Sequence, residues 1–366
     1  MRPNKKYLWL LLVLVLALSL MLLSACGAEK AGEEAAEEAA EETTEEAAEE
    51  TPAETADTGG WAEGLTTGYI PVDGGQVFYR MYGADKPGTP VIFLHGGPGA
   101  SSYYFFKQYA VGENRPVVFY NQLGSAGSDV SDEYTTADQV KELFTIEHFV
   151  DEVETVVDYF DFDEFVILGH SWGSMLALEY AAAKQPENLK GLILAGPFLK
   201  VETWIDDAGR LIRSLPDGDA MWETIQQCEA SGEYGDEYAK INEIYSNNFY
   251  NRNPGSMDGT PEEPETKVVD GVDVYNYMWG PSEFSCTGTL QGHDSTPLLA
   301  KIDVPVLYLC GEYDSGSPEA AQYYNSMTKN GEICVLPGCG HDAPRERPEE
   351  YNAVVDAFAA RVGDKP

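Results

Sequence analysis

Five consecutive residues have the types and spacing of a serine nucleophile. The run Gly169-His170-Ser171-Trp172-Gly173 follows the apolar segment Phe165–Leu168 and precedes a helix-like stretch, Ser174–Lys184. A serine between glycines on a tight strand-to-helix turn presents its hydroxyl outside the backbone, because glycine has no Cβ to clash. The N-terminus of the following helix favours developing negative charge. The pattern therefore predicts Ser171 as the nucleophile of an acyl-transfer reaction.

A serine hydroxyl at neutral pH needs a general base. Among the five histidines, His341 follows the segment Ile333–Leu336 in a turn, Gly338-Cys339-Gly340, whose glycines free the backbone. The other four histidines are less suitable. His95 lies in a glycine-rich loop, and His170 directly precedes the serine and is too close to turn back on it. His148 begins a peripheral helix, and His293 ends a polar insert. His341 is therefore the predicted base.

A carboxylate should orient the base and stabilise the imidazolium that forms. Asp314 stands just beyond the apolar segment Val304–Cys310, and the chain order serine, aspartate, histidine suits this serine motif. Glu312 is the alternative. Asp314 is favoured because it lies further beyond the end of the predicted strand.

Two backbone N–H groups should stabilise the tetrahedral oxyanion. One is predicted to be the amide of Trp172, directly after the nucleophile. The other is predicted to be the amide of Gly97, in the run His95-Gly96-Gly97-Pro98-Gly99 after the apolar segment Val91–Leu94. A phosphate-binding loop is the alternative for this run, but the lysine and spacing of a P-loop are absent from it. No metal or cofactor is expected in this chemistry.

Short apolar runs alternate with helical patterns and must position these residues. The runs suit strands that are buried on both faces of a parallel sheet, and they include Val91–Leu94, Val117–Tyr120, Phe165–Leu168, Leu192–Ala195 and Val304–Leu309. A hairpin is expected where Tyr69–Val72 and Gln76–Tyr82 flank Asp73-Gly74-Gly75. The alternation predicts an α/β fold with a mostly parallel sheet and flanking helices.

The alternation stops in a polar stretch that is rich in Tyr, Glu and Trp. We interpret residues 200–291 as an inserted, mainly helical cap between core segments 61–199 and 292–366. A disordered insertion is the alternative, and the aromatic density argues against it. The Pro- and Gly-rich part, Asn251–Thr266, is expected to form a loop within the cap.

The first 26 residues have the layout of a bacterial lipoprotein signal peptide. A basic start and the apolar run Tyr7–Leu23 precede Leu23-Ser24-Ala25-Cys26, which resembles the site where cleavage exposes a cysteine for lipid attachment. An uncleaved membrane-spanning anchor is the alternative. The pattern predicts an exported protein that is lipid-anchored through Cys26 to the outer face of the bacterial cell membrane, its only contact with the membrane.

The formal net charge of −39 has two sources, a tail and a body. Residues 1–26 contribute +3 and residues 27–57 contribute −12, so residues 58–366 carry the remaining −30. We interpret residues 27–60, with their Glu-Ala repeats, as a solvated tether, since like charges four residues apart repel in a helix. A calcium-binding or adhesive tail is the alternative. The negative charge excludes nucleic acid as a partner.

The cysteines after Cys26 match no zinc-binding spacing. The five residues are Cys228, Cys286, Cys310, Cys334 and Cys339, and their odd number leaves at least one thiol free. Disulfides are compatible with export, but the sequence does not pair them.

Several motifs together resemble the prolyl aminopeptidase (proline iminopeptidase) branch of the α/β-hydrolases, over about residues 69–362. They are His95–Gly99, Tyr120–Gly124, Gly169–Ser174, Gly280–Phe284, Gly311–Asp314 and Gly340-His341. The resemblance implies an α/β-hydrolase fold with a cap, and a serine aminopeptidase that removes an N-terminal residue, proline or a similar small apolar one, from short peptides or aminoacyl amides. It also implies that Glu283 binds the free α-ammonium group, and a buried cation does require a paired anion.

The sequence departs from this family at the mouth of the site. Many relatives have a glutamate directly after the catalytic aspartate, where this chain has Ser315, and Glu237 of the cap is one candidate to replace it. Asn121 stands where relatives have Asp, Ala126 replaces a glycine and Gly127 an arginine. These changes concern proline specificity and leave the catalytic set intact.

Two other functions fit the same residues. An esterase, lactonase or amino-acid amidase would use the same serine, histidine and aspartate. A non-catalytic, surface-anchored binding protein would retain only the fold. The aromatic run Tyr103-Tyr104-Phe105-Phe106 suits either an apolar substrate pocket or core packing.

Overall fold

One eight-stranded sheet forms the centre of residues 64–364, the part of the chain that the computed structural model describes. The strand order is β1-β2-β4-β3-β5-β6-β7-β8, with β1 and β2 antiparallel to their neighbours and the other strands parallel. The strands are β1 (Thr66–Val72), β2 (Gly75–Tyr82), β3 (Val91–Leu94), β4 (Val117–Tyr120), β5 (Phe165–His170), β6 (Leu189–Ala195), β7 (Val306–Gly311) and β8 (Gly331–Leu336).

The predicted strands and hairpin are confirmed. Strands β3, β4, β5 and β7 are buried at every residue, as expected for central parallel strands that are covered on both faces. Strands β1 and β2 pair directly across the predicted turn, where Gly74 has a φ of +84°. Strand β8 forms the far edge of the sheet and is only partly buried, which explains its less regular apolar pattern.

Ten α-helices connect and cover the strands within the described residues. They are α1 (Ala137–Glu142), α2 (Ile146–Phe160), α3 (Trp172–Lys184), α4 (Val201–Arg213), α5 (Gly218–Ser231), α6 (Asp236–Tyr245), α7 (Val274–Met278), α8 (Pro318–Asn325), α9 (Ala343–Glu346) and α10 (Pro348–Gly363). Helix α2 buries a stripe of valines, Val150, Val153, Val156 and Val157, against the core. None of these helices is long and apolar enough to cross a membrane.

The chain between β6 and β7 forms a helical insert. It contains α4 to α7 and a π-helical turn, Ser246–Tyr250, and an isolated bridge between Lys200 and Asp294 closes its base. The insert has its own small core, which includes Ile212, Ile225 and Phe284. Regular helix is nearly absent from residues 251–268, as the Pro- and Gly-rich composition predicts.

The predictions for the signal peptide with Cys26 and for the acidic tether lie outside the described residues. The five cysteines within residues 64–364 are all free thiols.

Candidate active site

Ser171 is the single residue between the end of β5 and the start of α3. It has a φ of +56° and a ψ of −123°, a conformation that non-glycine residues rarely adopt and that the surroundings must enforce. A Cβ on Gly169 would lie 2.0 Å from the carbonyl oxygen of Gly173, and one on Gly173 would lie 2.2 Å from that of Leu94. The two glycines are therefore a steric requirement of this turn.

Asp314 and His341 form a buried pair on two neighbouring loops at the carboxyl ends of β7 and β8. Nδ1 of His341 lies 2.6 Å from Oδ1 of Asp314, and both side chains are almost inaccessible to solvent. The amides of Gly316 and Gly311 donate to the two carboxylate oxygens of Asp314, at 2.7 and 3.2 Å. These bonds hold the carboxylate in place beside the imidazole.

Glu312, the alternative acid, is exposed and accepts a hydrogen bond from the amide of Gly338 at 2.9 Å. The structure therefore pairs Asp314 with His341, and Glu312 supports only the turn before the base.

Aromatic rings enclose the imidazole of His341. Its ring centroid lies 4.6 Å from that of His170, 4.9 Å from Tyr250 and 5.3 Å from Trp204. Nε2 of His341 has no hydrogen-bond partner among the described residues. This free nitrogen is the atom that a general base would use, and Tyr250 and Trp204 line the same pocket as Ser171.

The glycine-rich loop after β3 approaches the nucleophile closely. A Cβ on Gly96 would lie 2.9 Å from Cβ of Ser171. Nδ1 of His95 contacts the carbonyl oxygen of Gly96 at 2.8 Å. Because the C=O and N–H of a trans peptide point in opposite directions, this bond turns the amide of Gly97 away from His95, and Gly97 lines the pocket.

Gln122, which sequence reasoning missed, connects the residue after the nucleophile to the first residue of the glycine-rich loop. Oε1 of Gln122 accepts from the indole N–H of Trp172 at 2.9 Å, and Nε2 of Gln122 donates to the carbonyl of His95 at 3.1 Å. The backbone amide of Gln122 donates to Nε2 of His95 at 2.9 Å, so Nδ1 of His95 carries the proton. Burial lowers the pKa of His95 to about 4, which keeps this ring neutral.

A pocket of about 380 Å³, including its mouth, opens over Ser171. Four aromatic side chains of the insert line it, together with Phe198 and Gly97. The four are Trp204, Tyr250, Tyr275 and Trp279. Such a wall suits a small, flat apolar group.

Glu283 is the carboxylate of this pocket. The hydroxyl of Tyr275 donates to Oε1 of Glu283 at 2.5 Å. Burial raises the pKa of Glu283, and the bond from Tyr275 and the nearby His341 partly offset that rise. A hydrogen-bonded carboxylate beside aromatic faces is the environment that an ammonium group requires.

The structure contradicts the suggestion that Glu237 replaces a second amine ligand. Helix α6 turns Tyr238, Ile241 and Tyr245 inward, so Glu237 faces outward and is exposed beside a separate cavity of the insert. Ser315 is buried next to Asp314. Among the described residues, Glu283 is the only carboxylate that lines the pocket over Ser171.

The other departures at the mouth have local explanations. Gly127 has a φ of +74°, and a Cβ there would lie 2.8 Å from the ring of Pro264, so the insert leaves no room for an arginine. Asn121 accepts from the amide and the hydroxyl of Ser102, both at 2.7 Å, and donates to the carbonyl of Ala126. Asn121 therefore supports the loop as a neutral group.

The aromatic run at 103–106 belongs mainly to the core. Phe105 packs edge-on against Phe93, with ring centroids 5.1 Å apart, and the run is absent from the residues lining the pocket. Within residues 64–364 no three His, Cys, Asp or Glu side chains are grouped so that they could hold a metal ion.

The fold and this site define an α/β-hydrolase. The model of the alpha/beta hydrolase family matches residues 91–354. The chain is 38% identical over 296 residues to a proline iminopeptidase of Heyndrickxia coagulans, with 80% of this chain and 98% of that protein covered. It is 32% identical over 298 residues to a proline iminopeptidase of Lactobacillus helveticus, covering 80% and 97%.

A solved structure agrees with these sequence relatives. The crystal structure of a proline iminopeptidase from Mycobacterium smegmatis superimposes with a TM-score of 0.68 at 26% identity, covering 81% of this chain and 98% of that one. The chain therefore belongs to the proline iminopeptidase family of α/β-hydrolases.

Proposed function

We propose that this chain is a serine aminopeptidase that releases N-terminal proline from short peptides. The observation that carries the proposal is that Glu283 and Ser171 line one aromatic-walled pocket. The carboxylate selects a free N-terminal ammonium, and the aromatic wall accepts the pyrrolidine ring that carries it. The relatives in Heyndrickxia coagulans and Lactobacillus helveticus are themselves named proline iminopeptidases.

The reaction follows from the positions of the polar groups. Oγ of Ser171 attacks the carbonyl carbon of the first residue while Nε2 of His341 takes its proton. The amides of Gly97 and Trp172 stabilise the oxyanion. Protonated His341, held by Asp314, then gives its proton to the leaving amine, and water hydrolyses the acyl-enzyme by the same steps.

The pocket also explains why only one residue is removed. Glu283 lines the same pocket as Ser171, so an N-terminal extension beyond the first residue would have to displace the ammonium group from its carboxylate. Binding the ammonium at Glu283 fixes the distance from the N-terminus to the scissile carbonyl, which brings that carbonyl to Ser171.

A panel of four substrates tests this function. We expect rapid hydrolysis of Pro-p-nitroanilide, slower hydrolysis of Ala-p-nitroanilide, and none of N-acetyl-Pro-p-nitroanilide, because acetylation removes the charge that Glu283 binds. An uncharged p-nitrophenyl ester is the fourth member. Efficient ester cleavage with Pro-p-nitroanilide untouched would overturn the proposal in favour of an esterase. Ser171→Ala should abolish every activity.

We further propose that the protein is exported and lipid-anchored through Cys26. The support is the basic and apolar leader that ends in Leu23-Ser24-Ala25-Cys26. The acidic stretch that follows would hold the enzyme away from an anionic surface by self-repulsion. Cys26→Ala should move the protein from the detergent phase to the aqueous phase on phase partition, whereas Cys228→Ala should leave it in the detergent phase. Equal partition of both variants would contradict the anchor.

A further inference from the structure

Two side chains outside the catalytic set connect the loops on either side of Ser171. The amide of Gly96 donates to Oη of Tyr104 at 2.8 Å, and that oxygen lies 3.0 Å from Nδ1 of His170. Nε2 of His170 lies 3.0 Å from the backbone carbonyl of His341. The chain of contacts thus runs from the glycine loop that carries Gly97 to the loop that carries the base.

The chemistry of the groups determines the direction of each hydrogen bond. A carbonyl oxygen only accepts, so Nε2 of His170 must carry the proton that it shares with His341. Burial lowers the pKa of His170 well below its usual value, and the neighbouring His341 lowers it further, so the ring is neutral. A neutral ring leaves Nδ1 as an acceptor, and the hydroxyl proton of Tyr104 therefore goes to His170.

We propose that Tyr104 and His170 are positioning residues that hold the oxyanion loop and the base loop at a fixed separation around Ser171. The inference rests on the proposed acyl-enzyme mechanism. Neither side chain lines the substrate pocket, so both act through the backbone groups that they bind.

Both ends of this link act on groups that matter in the transition state. Gly96 lies against Ser171. The hydrogen bond from its amide to Tyr104 fixes the peptide group directly before the one that contains the amide of Gly97. At the other end, His170 holds the carbonyl of His341 while Phe249 accepts from its amide at 2.9 Å. Movement of the base loop would lengthen the distance over which the proton is transferred, and movement of the glycine loop would lengthen the hydrogen bond to the oxyanion. Neither movement would change the ammonium site.

His170 is buried and Tyr104 is partly buried, and the bonding groups of the link are satisfied, as a rigid polar network requires. His170 is 4% exposed, and its ring packs between those of His341 and Tyr104. Removal of the Tyr104 hydroxyl would leave the amide of Gly96 and Nδ1 of His170 without a partner. The local backbone would then relax to find other partners.

Tyr104→Phe is the first test, with Tyr308→Phe as the matched control. Tyr308 is fully buried with one hydroxyl contact, 2.6 Å to Thr328, and like Tyr104 it lies outside the pocket. For Pro-p-nitroanilide we expect kcat of Tyr104→Phe to fall about 10- to 100-fold while KM changes by less than about twofold. The inhibition constant of free proline, which reads the ammonium site, should stay at the wild-type value.

The rate at which a fluorophosphonate labels Ser171 should fall with kcat, because that reaction uses the base and the oxyanion site but not Glu283. An unchanged kcat would overturn the inference. So would a fall in kcat with an equal loss of proline binding, which would indicate general misfolding. If the wild type labels well but releases no proline, the proposed function fails while the labelling rates still test the positioning role.

His170→Gln is the second variant and guards against misfolding of the first. Its amide keeps a donor for the carbonyl of His341, but its acceptor oxygen lies beside that donor at the end of the side chain and not at the position of Nδ1, which accepts from Tyr104. We expect a smaller fall in kcat than in Tyr104→Phe, and no further fall when the two changes are combined, because both break the same link. Additive effects of the two substitutions would overturn the assignment of a single link.

Discussion

At the scale of single residues, the carboxylate of Asp314 is held so that only a carboxylate fits. Oδ1 accepts from Gly316 and contacts His341, and Oδ2 accepts from Gly311. An amide at this position would direct its NH₂ group at an N–H donor in either orientation. The charge and the two acceptors of Asp314 are therefore both needed to fix the tautomer of the base.

Asp314→Asn should lower kcat by about 10⁴-fold with little change in KM, because the histidine would present its protonated nitrogen to Ser171. Steady-state kinetics with Pro-p-nitroanilide measure this effect. Glu312→Gln is the control, since Glu312 is exposed and bonds only the turn at Gly338. Equal losses in the two variants would contradict the assignment of Asp314.

Glu283→Gln should weaken the binding of aminoacyl substrates. The variant keeps the shape and the contact with Tyr275 but loses the charge, so we expect kcat/KM for Pro-p-nitroanilide to fall about 10- to 100-fold, mainly through KM. Reaction with a fluorophosphonate should be unchanged. Glu237→Gln, on the outer surface of the insert, should behave as wild type. An unchanged KM in Glu283→Gln would remove this residue from the ammonium site.

Local sequence predicted the residues that depend on local backbone geometry. Ser171, Gly97 and His341 each follow a strand and lie next to glycines, so their neighbours in sequence were sufficient evidence. The roles of Tyr104 and Gln122 were missed because their partners, apart from Gly96, lie 27 to 66 residues away in the sequence. The suggestion that Glu237 binds the amine was wrong because this side chain lies on the outer face of α6. The mixed composition of α6 does not show which face of the helix is buried.

At the scale of secondary-structure elements, the insert binds the base loop through backbone groups. The amides of His341 and Asp342 donate to the carbonyls of Phe249 and Tyr250 at 2.9 and 2.8 Å. These carbonyls belong to the π-helical turn Ser246–Tyr250, a distortion that often occurs at functional sites. The turn also carries the ring of Tyr250 against His341, so one element contributes to both substrate pocket and base.

Gly340→Ala should separate these two elements. A Cβ there would lie 2.7 Å from the carbonyl oxygen of Tyr250 and 2.8 Å from that of Phe249, so the turn must shift. We expect kcat/KM to fall at least about tenfold together with a lower melting temperature. Gly235→Ala in the same insert meets nothing within 4 Å and should change neither quantity measurably. A fully active Gly340→Ala would show that the contact is not required.

Helix α2 carries one buried acid on its apolar side. Glu152 is 2% exposed and accepts from the amide of Leu123 at 3.0 Å, and burial raises its pKa to about 8. The unfolded chain releases this proton near pH 4.5, whereas the folded chain keeps it until about pH 8. The free energy of unfolding should therefore fall as the pH rises between these two values.

Glu152→Gln should remove that fall, because glutamine does not ionise. Denaturant unfolding at pH 5, 6.5 and 8 would measure it: the variant should gain stability relative to wild type as the pH increases. Glu147→Gln on the exposed side of the same helix is the control and should follow wild type. A constant difference between Glu152→Gln and wild type at all three pH values would contradict the raised pKa.

The order of elements was predictable because each central strand is a short apolar run with a helix behind it. Strands β3, β4 and β5 have buried side chains on both faces, and that burial removes the need for alternation. The contact between the π-helical turn and the base loop was not predictable. It joins segments about 90 residues apart through backbone atoms, which have no side-chain signature.

At the scale of the whole molecule, the body carries −30 of the formal charge, although the substrate site contains a single carboxylate in its wall. Any effect of the other acidic side chains on a ligand in this site must therefore act at a distance, through the field around the protein. The proposed substrate is a cation at its N-terminus, and a negative field raises the local concentration of such a ligand and its association rate. The same field opposes anionic substrates.

If this field steers the substrate, kcat/KM for Pro-p-nitroanilide should fall severalfold as salt increases, because the screening length shortens from about 30 Å at 0.01 M to about 8 Å at 0.15 M. The change should appear in kcat/KM and not in kcat, since steering acts on encounter. Labelling of Ser171 by an uncharged fluorophosphonate in the same buffers is the control and should be independent of salt. If the charged and uncharged reagents respond equally, the surface charge serves only solubility, and Glu283 alone provides the attraction for the ammonium group.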